Sequence, residues 1–427
     1  MGIVKIHNGR VVVPGRVMPR GTVVVRDGVI DEVAEGDVKV EGGDAARNGG
    51  VEAGEAARDG GVGAGEVVVI DAGGRYVAPG FIDIHVHGGG GHDFMDGTVE
   101  AFLGVAALHA RYGTTAMLPT TLTCSNEKLN SILDIYPEAR RRNQMGAQFL
   151  GLHLEGPYLA MGQKGAQDRR YIRNPDRKEY LEILSRSSDI RRWSAAPELP
   201  GALEFGRELR SRGILVSFAH TDALFQETME GFANGYTLAT HLYSCMNGVT
   251  RRGLYRYAGA IECAYLVPEI DVEVIADGVH LPAPLLRLVH QIKGAAHTAL
   301  VTDAMRAAGM PEGESVLGGL DNGLPVIVED GVAKLSDRSA FAGSVATADG
   351  LVRTMMNAGV SLREAVEMLT ATPARIIGVE RSKGGLEVGK DADIVVFDEG
   401  INVSLTMIAG RVVYGNVDSG VVNSAQS

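Results

Sequence analysis

Short runs of apolar and β-branched residues recur through the middle of the chain and alternate with longer amphipathic segments. Eight runs have this character: 81–86, 114–120, 148–154, 190–197, 214–220, 236–242, 271–278 and 298–304. Most of the segments between them have the length and apolar spacing of helices, as in 99–112 and 282–293. Strands that alternate with helices predict right-handed βαβ units, and eight such units predict a closed (β/α)8 barrel of the TIM type, an α/β fold.

The two ends of the chain follow a different pattern. Valine-rich alternating strands separated by turns such as Asp27-Gly28 predict a small antiparallel sheet over 2–36, and strand-like segments return at 393–397 and 407–413. We therefore predict a small β-sandwich-like domain built from 1–77 and 385–427, beside a hydrolase barrel spanning 78–384. Within the first part, 41–66 contains a glycine-rich eleven-residue repeat, which we interpret as a flexible surface insertion.

Composition and charge narrow the class of protein. The 427 residues are 45% hydrophobic and 22% charged, which is typical of a folded globular chain. The net charge of -12, without a block of basic residues, argues against a nucleic-acid partner. The sequence contains no apolar stretch of membrane-spanning length, so we expect no membrane association. Three cysteines without CxxC spacing favour a reducing compartment, and the cytoplasm is the predicted location.

Residues able to bind a metal ion stand at the carboxyl ends of the predicted strands, where barrel enzymes carry their chemistry. They are His85 and His87 on the first strand, Glu155 on the third, His220 and His241 on the fifth and sixth, and Asp303 on the eighth. Imidazole nitrogens and carboxylate oxygens in one barrel mouth suit Zn²⁺, Fe²⁺ or a similar divalent ion. We interpret five other histidines as residues that only pack in a loop or in the core: His7, His92, His109, His290 and His297.

Several segments around these residues carry a family resemblance. They include APGFIDIHVHG (78–88), HLEGPY (153–158), AHTDA (219–223), THLY (240–243), IADGVH (275–280), LVTDAM (300–305) and FAGS (341–344). Together they resemble the amidohydrolase superfamily and, within it, the N-acetylglucosamine-6-phosphate deacetylase family. The resemblance covers nearly the whole chain outside 41–66. It implies a homodimer that hydrolyses the N-acetyl amide of N-acetylglucosamine 6-phosphate to glucosamine 6-phosphate and acetate.

The resemblance also implies roles for the strand-end residues. It assigns the principal metal to Glu155, His220 and His241. Because His85 and His87 are both present, we expect a second ion with Glu155 bridging; the alternative is that these two imidazoles only orient the site through hydrogen bonds. Asp303 is the predicted general base and then general acid, and a purely ligating Asp303 is the alternative.

Contacts to the substrate are implied by the same resemblance. The positions are Ala166, Ser244, Cys245, Arg252, His280, Phe341, Ala342 and Gly343. Arg252 is expected to reach the phosphate from a neighbouring subunit, although Arg251 could replace it, and Asp277 is expected to orient His280. The family usually shows Asn-Ala where this chain has Ser244-Cys245, which leaves the anionic group and the sugar epimer open.

Three alternative functions remain. The first is an N-acetylgalactosamine-6-phosphate deacetylase, because epimer choice rests on hydrogen bonds that the sequence does not display. The second is another metal-dependent amidohydrolase, acting on an N-acyl amino acid or a cyclic amide. The third is a non-catalytic barrel scaffold, which the presence of all six candidate ligands disfavours.

Overall fold

The chain begins with a mixed sheet, in a computed structural model that describes residues 2–40, 46–52 and 67–417. The first strands are β1 (Ile3–Val13), β2 (Arg16–Arg26), β3 (Val29–Glu35), β4 (Ala46–Glu52), β5 (Val67–Asp71) and β6 (Tyr76–Pro79). Strand β1 pairs antiparallel with β2 and parallel with β5 and β6. Valine and isoleucine side chains of these strands, alternating with polar ones, form a small core of their own.

Part of the predicted flexible insertion is a strand. Strand β4 pairs parallel with β5, so the prediction does not hold for 46–52. An open sheet edge offers unpaired backbone N–H and C=O groups, to which even a glycine-rich segment can add. The rest of 41–66 lies outside the described residues.

Strands and helices then alternate as the sequence predicts. The strands are β7 (Phe81–Val86), β8 (Gly88–Gly89), β9 (His92–Asp93), β10 (Thr114–Thr121), β11 (Gln148–Phe149), β12 (Leu152–Glu155), β13 (Ile190–Ala195), β14 (Leu215–Phe218), β15 (Tyr236–Ala239), β16 (Thr250–Arg252), β17 (Tyr255–Tyr257), β18 (Asp271–Ile275) and β19 (Thr298–Val301). The helices are α1 (Val99–Ala110), α2 (Asn126–Arg142), α3 (Arg177–Arg186), α4 (Ala202–Ser211), α5 (Phe225–Ala233), α6 (Ala260–Leu266) and α7 (Ala283–Lys293).

Parallel pairing runs around a barrel from β7 through β10, β12, β13, β14, β15 and β18 to β19. Strands β11 and β12 are two parts of one predicted strand. Between β19 and β7 the contact consists of single hydrogen bonds, such as the Asp303 amide to the His85 carbonyl at 2.9 Å. The predicted (β/α)8 barrel is confirmed, nearly closed at this seam.

Alternation along the strands separates two cores. On β13, Trp193 is fully buried toward the helices, where it stacks on Tyr158 and meets Phe205 edge-on. Its neighbours Arg192 and Ser194 point to the opposite side, into the barrel. The aromatic layer therefore holds helices to strands, while the barrel interior contains polar groups.

The chain after the eighth barrel strand adds a sheet that the sequence pattern did not predict. Its antiparallel strands are β20 (Gly313–Leu317), β21 (Leu324–Glu329), β22 (Val332–Leu335) and β23 (Phe341–Ser344). Helices α8 (Ala348–Asn357), α9 (Leu362–Glu367) and α10 (Ala371–Ile376) follow.

The last strands return to the first sheet. They are β24 (Ile394–Phe397), β25 (Val403–Ile408), β26 (Arg411–Tyr414) and β27 (Asn416–Val417). Strand β24 pairs antiparallel with β6, so the two ends of the chain share one sheet, as expected. Across the described part of the chain, helices long and apolar enough for a bilayer span are lacking.

Candidate metal centre

Two features of the local backbone position the candidate ligands: side-chain alternation along a strand, and left-handed residues just past the strand ends. His85 lies on β7 and His87 one residue beyond it, so strand alternation points both rings to one side. His220, His241 and Asp303 each lie two residues past a strand, with φ values of 45°, 29° and 47°. This left-handed backbone costs about 1–2 kcal/mol for a residue with a side chain, so the surrounding barrel must hold it in place.

One group of ligands contains His85, His87 and Asp303. The two Nε2 atoms are 3.2 Å apart. Oδ1 of Asp303 lies 3.4 Å from Nε2 of His85 and 3.1 Å from Nε2 of His87. All three residues are buried at the barrel mouth.

The other group contains Glu155, His220 and His241. Oε1 of Glu155 lies 3.3 Å from Nε2 of His220 and 3.1 Å from Nε2 of His241. Glu155 also contacts the first group, with 3.5 Å from its Oε1 to Nε2 of His85 and 3.4 Å from its Oε2 to Nε2 of His87. Its carboxylate is therefore shared by both groups.

The hydrogen bonds of the imidazoles show that the donor set fits a cation. Nδ1 of His220 donates to the Gln163 carbonyl at 2.7 Å, and Nδ1 of His87 donates to the Thr120 carbonyl at 3.2 Å. In the neutral rings, each Nε2 then faces a carboxylate oxygen with a lone pair, an arrangement that needs a positive charge between the two atoms. Ligand atoms 2.0–2.2 Å from a tetrahedral ion lie roughly 3.3–3.6 Å apart, close to the distances in both groups.

Without a metal ion, protons supply this charge. Burial opposes protonation of both rings, but the carboxylates of Glu155 and Asp303 outweigh it and raise the pKa of His85 to about 9 and that of His87 to about 10. Burial also opposes ionisation of Glu155, yet attraction to His85 and hydrogen bonds from His220 and His241 hold its pKa well below the usual value. A divalent ion takes the place of such protons when it binds.

Neighbouring groups that the sequence did not reveal hold the ligands in position. Nε2 of Gln167 donates to Oε2 of Glu155 at 2.7 Å. Gln167 directly follows Ala166, a position that the family resemblance implies for substrate contact, and this neighbourhood was the signal available for it. The ring of His153 packs edge-on against that of His85, and it is itself held by the hydroxyls of Thr120, 3.2 Å from Nδ1, and Ser194, 2.7 Å from Nε2.

A cavity of about 290 Å³ opens above both groups. Six of the predicted substrate positions line it: Ala166, Ser244, Cys245, His280, Phe341 and Gly343. Nδ1 of His280 lies 2.7 Å from Oδ2 of Asp277, as expected for an oriented ring, and the imidazole packs on Phe341. The described residues of the wall include neither lysine nor arginine.

Two predicted substrate positions lie elsewhere. Ala342 is fully buried in the apolar layer beneath the added sheet, because alternation along β23 points its side chain away from the cavity. Arg252 lies on the exposed hairpin of β16 and β17, over the ring of Tyr257, and does not line the cavity of its own chain.

Comparisons with known proteins agree with this geometry. The profile of the amidohydrolase family matches residues 76–425. The N-acetylglucosamine-6-phosphate deacetylase of Lysinibacillus sphaericus is 35% identical over 356 residues, 80% of this chain and 87% of that protein. The N-acetylgalactosamine-6-phosphate deacetylase of Escherichia coli O157:H7 is 35% identical over 81% of this chain and 89% of its own. A crystallised N-acetylglucosamine-6-phosphate deacetylase mutant of Mycobacterium smegmatis, in complex with N-acetylglucosamine 6-phosphate, superposes with a TM-score of 0.82 at 27% identity, covering 97% of this chain and all of that one.

Proposed function

Because the chain belongs to the amidohydrolase family, we propose that it hydrolyses the N-acetyl amide of N-acetylglucosamine 6-phosphate, which yields glucosamine 6-phosphate and acetate. The chain is a hydrolytic enzyme. The observation that carries the proposal is the pair of ligand groups that share Glu155 at the floor of a cavity. The proposed substrate is inferred from the relatives, which are named as N-acetylglucosamine-6-phosphate deacetylases.

The floor of the cavity would hold the metal. Glu155, His220 and His241 are the proposed ligands of a principal ion, and His85 and His87 those of a second, with Zn²⁺ or Fe²⁺ as the proposed metals. Such ions supply Lewis acidity, which lowers the pKa of water and polarises a carbonyl oxygen. The shared carboxylate of Glu155 supports two ions rather than one.

Asp303 is the proposed general base and general acid. Its carboxylate touches His85 and His87 and lines the cavity, so it can face both a water molecule and a bound amide. Attraction to the imidazoles outweighs its burial and keeps its pKa below the usual value, so it starts as a proton acceptor. It takes a proton from the attacking water at an Oδ atom and returns this proton to the departing amine nitrogen.

The wall of the cavity would bind the sugar and its phosphate. His280, held by Asp277, and the hydroxyl of Ser244 are the donors proposed for phosphate or sugar oxygens. Ala166, Cys245, Phe341 and Gly343 shape the rest of the wall. This division leaves chemistry to the floor and recognition to the wall.

A second copy of the chain would complete the site. A phosphate dianion is best bound by an arginine fork, yet the described wall lacks one. Arg252 projects on a hairpin whose tip residues Leu254 and Tyr255 are 82% and 73% exposed. We propose a homodimer in which this apolar tip is covered and Arg252 enters the neighbouring cavity.

The cytoplasm is the proposed location of the reaction. Cys124, Cys245 and Cys263 are all free thiols. A reducing compartment maintains thiols in this state.

The galacto epimer is a second candidate substrate. One relative of equal identity is named for N-acetylgalactosamine 6-phosphate. Ser244 has a shorter reach than the asparagine expected at its position, so the contacts beside the sugar differ from the usual ones of the deacetylase family.

An acetate-release assay tests the proposal. The purified enzyme, with metal added, is given the N-acetylated gluco and galacto sugars with and without the 6-phosphate. We expect kcat/KM to be greatest for N-acetylglucosamine 6-phosphate and to fall when the phosphate is absent. Equal activity on the non-phosphorylated sugars would contradict it, and a preference for the galacto phosphate would favour the second candidate.

A further inference from the structure

A charged pair is buried in the barrel below the candidate metal centre. Arg192 on β13 and Glu273 on β18 are both fully buried. Their side chains pair through two nitrogens of the guanidinium, with 3.0 Å from Nη2 to Oε2 as one of the two contacts. Neither residue is among the predicted site residues.

The remaining donors of Arg192 connect several barrel strands. Nη1 donates to the Ile84 carbonyl on β7 at 3.1 Å, and Nε donates to the Ser217 hydroxyl on β14 at 3.0 Å. Nη2 also donates to the Thr240 hydroxyl, just past β15, at 2.8 Å. The guanidinium is thus held in one orientation, and it fixes the carboxylate of Glu273 in turn.

Glu273 lies against one residue of each ligand group. Its Oε2 is 3.5 Å from Nδ1 of His85 and 3.4 Å from the backbone N of His241. Nδ1 of His85 has no well-formed hydrogen bond to any described residue, so Glu273 is its nearest charged neighbour there. The contact is longer than an ordinary hydrogen bond, but the charge and the direction suit an imidazole N–H.

Stability alone does not account for the pair. Removing two charges from water costs several kcal/mol per ion, and well-packed apolar residues of similar volume often serve a fold equally well. The carboxylate of Glu273 is paired with the guanidinium of Arg192 through two contacts and lies against the ring of His85, so the pair places a negative charge directly below that ring. A fixed negative charge beneath a ligating imidazole is the arrangement that selects the ring tautomer and raises ligand basicity.

We propose that Glu273, fixed by Arg192, is a positioning residue of the metal centre. It directs the His85 ring so that Nε2 faces the centre, and it anchors the backbone of His241 in its left-handed conformation. The inference rests on the proposed metal-dependent function and deepens it. It assigns to Glu273 the control of ion affinity at the group formed by His85, His87 and Asp303.

Cobalt(II) titration of the metal-depleted full chain tests the proposal. We expect Glu273→Gln to weaken binding at the His85 group about 10- to 100-fold, the range for loss of such a supporting contact, and to affect the group of Glu155, His220 and His241 less. The visible absorption of bound cobalt(II) and dialysis with elemental analysis give the two affinities without substrate. Ser217→Ala is the matched control, because Ser217 contacts Arg192 but not a ligand, and it should leave both affinities within threefold.

A double variant keeps the test decisive if Glu273→Gln does not fold. Arg192→Met with Glu273→Leu removes both charges together and should fold, while binding cobalt(II) at the His85 group about 10- to 100-fold more weakly than the wild type. A lower melting temperature with unchanged affinities would show a structural role only and would overturn the proposal. Since the titration uses no amide, a wild-type chain that binds cobalt(II) without releasing acetate would refute the proposed reaction and not this inference.

Discussion

A substitution of Asp303 gives the most direct test of the proposed chemistry. Its carboxylate contacts His85 and His87. Asp303 lies just past the last barrel strand, at the seam where its amide donates to the His85 carbonyl. An asparagine keeps its volume and one ligating oxygen but accepts no proton from water. The substitution therefore separates proton transfer from the binding of metal.

We expect Asp303→Asn to lower kcat about 100- to 10,000-fold while metal content and melting temperature stay near those of the wild type. Acetate release and elemental analysis measure the two quantities. Asp321→Asn, on an exposed side chain paired with Lys128, is the control and should be fully active. Near-normal turnover in Asp303→Asn would remove the aspartate from its proposed role.

Glu198 provides a pH-dependent test outside the metal ligands. Burial raises its pKa, and hydrogen bonds from the Thr221 hydroxyl at 2.6 Å and the Asp222 amide at 2.7 Å only partly offset this. With a pKa above the unfolded value of 4.5, the native state binds more protons than the unfolded state just above that pH. The contribution of Glu198 to stability therefore falls as pH rises through this window.

We expect Glu198→Gln to remove this pH-dependent loss of stability, because glutamine does not ionise. Between pH 4 and pH 7, the free energy of unfolding of the variant should therefore rise relative to that of the wild type, whatever the difference at pH 4. Urea unfolding at several pH values measures the difference. A wild-type-minus-variant difference that stays constant with pH would contradict the shift.

At the scale of elements, the barrel accounts for what could be predicted and what could not. Strand order alone requires the ends of β7, β12, β14, β15 and β19 to meet, so the convergence of the candidate ligands at these ends could be predicted from their positions. Glu273 and Arg192 were not, because a charge within a strand looks the same in sequence whether it faces a barrel interior or solvent. The sheet β20–β23 was missed because its short strands lie outside the alternating pattern, and only its fold places Phe341 beside His280.

The hairpin of β16 and β17 gives a prediction at the same scale. Arg251 and Arg252 are adjacent on β16 and so point to opposite faces, and Arg251 donates to the Gly253 carbonyl of its own turn. We expect Arg252→Ala to raise KM for the phosphorylated sugar roughly 10- to 100-fold, the effect of losing a contact worth about 1.5–3 kcal/mol, with little change in kcat. Arg251→Ala is the control. Steady-state kinetics that show the reverse pattern would move the phosphate contact to Arg251.

At the scale of the whole molecule, one chain holds the candidate ligands but not every proposed substrate contact. The hairpin that carries Arg252 also presents the exposed apolar residues Leu254 and Tyr255, and exposed Val249 directly precedes it. In a symmetric dimer, each hairpin would serve the cavity of the other chain. Activity would then depend on association.

Mixing two variants that each have low activity at low substrate concentration tests this dependence. A dimer of one Asp303→Asn chain and one Arg252→Ala chain has one cavity with an intact aspartate that receives an intact arginine. After dissociation and reassociation of equal amounts, we expect roughly a quarter of wild-type activity at low substrate concentration. Activity that never exceeds the average of the separate variants, in mixtures shown to contain heterodimers, would place Arg252 at its own chain's site or at none.

The floor and wall of the cavity come from different kinds of backbone. The candidate metal ligands lie on or just past barrel strands, whereas Ser244, Cys245, Phe341 and Gly343 lie on loops or on the added sheet. A change of wall residues therefore leaves the barrel frame intact. Directed evolution toward other acylated sugars should succeed in libraries confined to 244–245 and 341–343. Natural relatives can diverge in substrate range by substitutions at the same positions.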